Sequence, residues 1–152
     1  MRIGIIFHSV TGHTRDVATR LLETFRARVL DAELFEIKAH GDDPDDINVT
    51  ILEKPDLSRY DRIIFAAPVH MFNLSRVMRT YLGDIPPIPG KHVALFVTHH
   101  LPCAWMGGTQ ALSTMRRLLL KKNAQVTDRI SINWSSSRRD ELIRTTCETI
   151  FA

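Results

Sequence analysis

Six consecutive residues near the start of the chain, Ser9-Val10-Thr11-Gly12-His13-Thr14, bring three hydroxyls and a glycine to the point where an apolar run gives way to a helical period. The first amides of a helix have no intrahelical partner and lie at the positive end of the helix dipole. Such a segment suits an anion, and a phosphate above all. The hydroxyls of Ser9, Thr11 and Thr14 add donors, and Gly12 allows the backbone to approach phosphate oxygens closely. An ordinary capped helix start needs one hydroxyl, Thr11 or Thr14, whereas this segment carries three. Other phosphate chemistries lack their residues. There is no Gly-x-x-x-x-Gly-Lys-Ser/Thr to bring a lysine to a β/γ-phosphate and no Gly-x-Gly-x-x-Gly for a dinucleotide pyrophosphate. A phospho-receiver domain would require acidic residues after its first strand and an aspartate ending its third, places held here by His8, Ser9, Ala66 and Ala67. A single monoester phosphate is the group that remains.

Elsewhere the reactive residues are sparse. His99-His100-x-x-Cys103 has the elements of a metal cluster, but adjacent histidines rarely share one ion and no second Cys/His pair lies nearby. Cys103 reads either as a redox-active thiol or as an unreactive one, and nothing in sequence shows the lowered pKa that the first would need; Cys147 falls on an apolar helix face. Two cysteines exclude a disulfide framework. No Ser-His-Asp or paired-carboxylate order supports hydrolytic chemistry.

The elements that must position these residues follow from hydrophobic periodicity. Apolar runs at residues 2–8, 32–38, 62–69 and 91–98 read as strands, and 124–133 reads as an edge strand with Val126, Ile130 and Ile132 on one side. Between them, helical spacing predicts helices over 14–28, 74–83 with Asn73 or Ser75 as cap, 108–122 and 138–151. Residues 39–59 read as a surface connection that includes the acidic turn 41–46 and a short helical piece at 47–53. The β/α alternation predicts one domain over 1–152: a doubly wound five-stranded parallel sheet, helices on both faces, right-handed crossovers. In such a sheet ligands bind beyond the carboxyl ends of the strands where the strand order reverses, which singles out the loops at 9–14, 68–73 and 98–108.

At these residues the sequence resembles the flavodoxin-like family. The segment 9–14 matches its Thr/Ser-x-Thr-Gly-x-Thr flavin-phosphate signature directly after the first strand. Tyr60-Asp61-Arg62-Ile63-Ile64-Phe65-Ala66-Ala67-Pro68-Val69 is similar to the family's third strand and following loop. Gly90-Lys91-His92-Val93-Ala94-Leu95-Phe96-Val97-Thr98 followed by Gly107-Gly108 is similar to its fourth. The resemblance implies strand order 2-1-3-4-5 and non-covalent FMN, with Ser9, Thr11, Gly12, His13 and Thr14 at the phosphate. An isoalloxazine ring buries large flat faces and wants apolar walls with backbone groups along its polar edge. Pro68, Val69, His70, Met71, Phe72 and Asn73 supply one such wall, and Thr98, His99, Trp105, Gly107 and Gly108 the other, with Met106 at hand.

Two departures from the electron-transfer flavodoxins stand out. Those proteins are strongly acidic. This chain carries 20 Lys plus Arg against 17 Asp plus Glu, a formal +3, and places His70, His99 and His100 in the expected flavin loops. A protonated histidine there would make the flavin a weaker reductant. The loop after the third strand also has no glycine, leaving Asn73 as the residue tolerant of positive φ. The implied role is electron transfer or small-scale flavin-dependent oxidoreduction, with His99 or His100 as proton donor in the latter case. The competing role is a phospholigand-binding or protein-interaction module without flavin redox activity.

Composition narrows the partners. The positive charge is mild and spread along the chain, without the basic block of a nucleic-acid binder. The longest apolar runs are far too short to span a bilayer, and the N-terminus lacks the pattern of a signal peptide, so the cytoplasm is the expected location. Five strands and their helices use nearly all 152 residues. The reducing or accepting partner is therefore expected to be another protein or a small diffusible molecule.

Overall fold

The computed structural model describes residues 1–41, 48–70, 72–100 and 107–151. In chain order, its elements are β1 (Arg2–Phe7), α1 (His13–Ala27), β2 (Asp31–Glu36), β3 (Ala39–His40), β4 (Thr50–Ile51), β5 (Arg62–His70), β6 (Asn73–Leu74), α2 (Arg76–Asp84), β7 (His92–His99), α3 (Gly108–Leu120), β8 (Gln125–Asn133) and α4 (Arg139–Thr149). A short 3-10 turn, Leu57–Arg59, is capped by the Asp56 side chain, which accepts from the Ser58 amide. The long strands form one sheet in the order β2-β1-β5-β7-β8, the expected 2-1-3-4-5 by rank, and neighbouring long strands pair in parallel.

The continuous apolar runs of β1, β5 and β7 are explained by burial on both faces. One face packs Ile63, Phe65, Leu95 and Val97 against Val77, Tyr81, Met115 and Leu119 from α2 and α3. The other packs Ile3, Ile5, Ile64 and Phe96 against Val17, Leu21, Phe25 and Ile143 from α1 and α4. The strand order reverses between β1 and β5, and the carboxyl ends of these two parallel strands lie side by side at that switch point, with Phe7 beside Ala66.

Three expectations are corrected. The segment expected as a helical piece is not helical over 48–53: Thr50 and Ile51 form β4, which pairs antiparallel with β3, while residues 42–47 of the acidic turn lie outside the described residues. After Pro68 the chain does not enter a plain loop. It continues as strand to His70 and turns back as β6, with His70 opposite Asn73 and Val69 opposite Leu74. Finally, Val126 is not on the same face as Ile130 and Ile132. The register jumps from Val93↔Val126 to Ala94↔Asp128, so Thr127 is bulged out and side-chain parity flips. Val126 thus packs with the α2/α3 core and Ile130 with the α1/α4 core.

Candidate functional site

The 9–14 turn links β1 to α1 across the top of the sheet. Its hydroxyls do different work from a simple cap. The Ser9 Oγ folds inward and accepts from the Gly12 amide at 3.2 Å and the Arg15 amide at 3.3 Å. Gly12 occupies the N-cap position with φ +95°, a left-handed conformation that glycine adopts without strain, and the first-turn amide of Arg15 is capped from Ser9 instead. Neither Thr11 nor Thr14 is the cap. Thr11 is exposed, and Thr14 is buried with its Oγ1 2.9 Å from the Thr98 Oγ1. That contact fastens the turn to the end of β7, because strand alternation directs Thr98 toward α1. Among the described residues, the amides of Val10, Thr11, His13 and Thr14 make no backbone hydrogen bond, which leaves four donors of the turn without a backbone acceptor.

The second loop is now the β5–β6 hairpin. Pro68, Val69 and His70 are half-buried at the end of β5, and Asn73 sits in β6, where its Oδ1 accepts from the Leu74 amide at 2.8 Å. The positive φ falls not on Asn73 but on Phe72, at +64°, which leaves its ring 55% exposed. A large apolar ring held open to solvent at the carboxyl end of the sheet is the aromatic surface this site offers. Below the hairpin, Ser75 caps α2 by accepting from the Met78 amide at 3.3 Å and lies 3.0 Å from the His8 Nδ1.

Gly107 and Gly108 are packing positions that join the loops. A Cβ on Gly107 would lie 2.7 Å from the Val69 Cγ1 and 2.9 Å from the Phe72 Cα, and its φ is +122°. On Gly108 it would lie 2.4 Å from the Ser131 Oγ. The start of α3 thereby presses on the hairpin. His99 is buried at the end of β7 and its carbonyl accepts from the Trp134 amide at 2.7 Å, whereas His100 is exposed. Met71, Cys103, Trp105 and Met106 lie outside the described residues.

The structure adds a residue that the sequence reading passed over. Trp134, just after β8, stacks on His13 with ring centroids 4.2 Å apart and an interplanar angle of 12°. His100 approaches the same His13 ring at 4.7 Å. Arg139 lies over Trp134, its Cζ 4.6 Å from the ring centroid, and donates from Nη1 to the Trp134 carbonyl at 3.2 Å. Burial, then the neighbouring His100 and Arg139, lower the His13 pKa below its ordinary value, with Asp16 opposing them. The rule that placed ligands at strand carboxyl ends applies equally to β8, and it would have pointed to Trp134.

A family model described as Flavodoxin domain matches residues 4–130. No curated protein sequence matches the chain significantly. Among solved structures, a flavodoxin from Streptococcus pneumonia TIGR4 superposes with a TM-score of 0.71 at 17% identity, covering 99% of this chain and 98% of that one. A flavoprotein in complex with FMN from Lactobacillus acidophilus NCFM gives 0.66 at 18% identity, covering 93% and 97%. Oxidised Flavodoxin 2 from Bacillus cereus gives 0.67 at 18% identity, covering 97% and 96%. These structures share the fold, and the domain match extends over most of the sequence: the chain belongs to the flavodoxin family.

Proposed function

We propose that the chain binds FMN without a covalent bond, phosphate first, and passes electrons or hydride equivalents between another protein or small molecule and the flavin. The observation that carries this reading is the 9–14 turn. Ser9 accepts from two amides and holds the turn, Gly12 supplies the left-handed step, and among the described residues the amides of Val10, Thr11, His13 and Thr14 have no backbone acceptor. That donor set fits a phosphate monoester. The exposed Thr11 hydroxyl adds a donor at the rim, while Thr14 and Thr98 hold the turn to β7.

Bound FMN supplies the redox chemistry, and the chain's residues bind, orient and shield it. Phe72 offers an exposed apolar side chain at the hairpin, next to His70 at the end of β5. Gly107 keeps the hairpin against the start of α3, while Gly108 lets the same helix start lie against Ser131 and His99 at the ends of β8 and β7. His100, exposed at the end of β7, is the accessible member of the histidine pair for proton delivery to a reduced substrate. Among the described residues no helix is long and apolar enough to cross a membrane.

The absorption spectrum of the purified protein tests the reading. A yellow preparation with flavin bands is expected, and a colourless one that takes up no added FMN would overturn it. Reoxidation of the reduced protein by small quinones marks a reductase, and reoxidation only by protein acceptors marks a carrier.

A further inference from the structure

His13 occupies an unusual position for a phosphate turn. It is the first residue of α1, so its amide belongs to the donor set while its side chain is locked at the rim. One face of its ring lies against Trp134, and His100 stands 4.7 Å away. Trp134 is itself held from behind by Arg139. The bracing continues: the Arg139 Nε is 3.8 Å from Asp140, Asp140 is 3.6 Å from the Arg20 guanidinium, and Arg20 pairs with Asp16 at 3.1 Å. The imidazole is therefore fixed between α1, the end of β7 and the start of α4.

Resting on the reading of the 9–14 turn as the FMN phosphate site, we propose that His13 is the residue that selects phosphorylated over unphosphorylated flavin, by taking up a proton from solvent as the phosphate binds. Among the described residues, burial weighs first against a charged His13 ring, then His100 and Arg139, while Asp16, paired with Arg20, favours it. The neutral form of the ring is thereby favoured in the free protein. A phosphate dianion arriving at the adjacent amides reverses this balance, since two negative charges outweigh the local cations. The ring then charges and contributes an ion-paired contact that riboflavin cannot elicit.

The sign of the linkage follows. A group whose pKa is higher in the complex than in the free protein makes binding tighter at low pH and weaker as pH rises between the two values. Each unit of difference corresponds to about a tenfold change in affinity. The phosphate loses its own last proton near pH 6, so between roughly pH 6.5 and 8.5 the ligand charge is nearly constant and the change belongs to the protein.

Isothermal titration of the full-length apoprotein with FMN and with riboflavin, from pH 6.5 to 8.5 in buffers of different ionisation enthalpy, reads proton uptake directly. The expected result is uptake with FMN alone, with FMN affinity falling roughly three- to tenfold across the range and riboflavin affinity flat. His13→Gln should abolish the uptake and flatten the profile while retaining FMN binding at pH 8.5, and His100→Gln should retain the uptake. Should His13→Gln fail to fold, the wild-type buffer series and His100→Gln still decide. FMN binding without proton uptake, or uptake that follows His100, overturns the role of His13 and leaves the phosphate site standing. No FMN binding at any pH overturns both.

Discussion

The buried pair Thr14 and Thr98 holds the 9–14 turn to the sheet through one hydroxyl–hydroxyl contact at 2.9 Å. A buried hydroxyl that loses its partner costs about 1–3 kcal/mol, whereas replacing both by methyl groups of the same shape is close to neutral. Thr14→Val and Thr98→Val are therefore each expected to lose about that much stability in urea unfolding. The double variant should lose less than the sum, and strict additivity would show that the contact is not formed. How much was legible at this scale depends on the residue. The donor types at 9–14 were readable from the signature. Their division of labour was not, because it depends on where β7 delivers Thr98 and on the inward turn of Ser9. Trp134 was missed because its partner His13 lies far away in sequence, and only the strand order brings the two together.

At the scale of elements, the alternation of strand and helix periods was legible because burial on both sheet faces makes β1, β5 and β7 continuously apolar. Two irregularities were not. The bulge at Thr127 reverses parity within a strand whose spacing otherwise looks regular, and the β5–β6 hairpin closes on residues without a turn glycine, placing Phe72 at φ +64°. The hairpin is held from outside by Gly107. Gly107→Ala would add a Cβ 2.9 Å from the Phe72 Cα in a backbone conformation unfavourable to alanine. Left-handed strain and overpacking together suggest a loss of about 2–3 kcal/mol. The melting temperature should fall by about 5–10 °C, with flavin affinity reduced because the Phe72 wall moves. A variant with unchanged melting temperature would show that this contact does not hold the hairpin.

At the scale of the whole molecule, stability should be sensitive to alkali. Burial, then the hydrogen bond to Glu33 at 2.9 Å and the Glu33 charge, raise the Tyr60 pKa to about 12 from 10. Because the folded state holds this proton more tightly, the stabilisation is complete below pH 10 and is lost as pH rises from 10 to 12. Denaturant midpoints should decline over that interval, and less steeply in Tyr60→Phe; an identical decline would remove Tyr60 from the account. The formal charge of +3 belongs to this scale too. The sequence shows a diffuse excess, whereas the fold gathers His13, His100 and Arg139 at the carboxyl end of the sheet, beside the phosphate turn. The central claim is that this end of the molecule binds FMN through residues 9–14. Titration of the apoprotein with FMN, followed by flavin fluorescence, tests it most directly when wild type is compared with Thr11→Asp, an exposed change that sets a carboxylate against the phosphate. Saturable binding at one FMN per chain, weakened about a hundredfold or more in Thr11→Asp, is the expected result; no uptake by wild type, or equal affinity in both proteins, would contradict it.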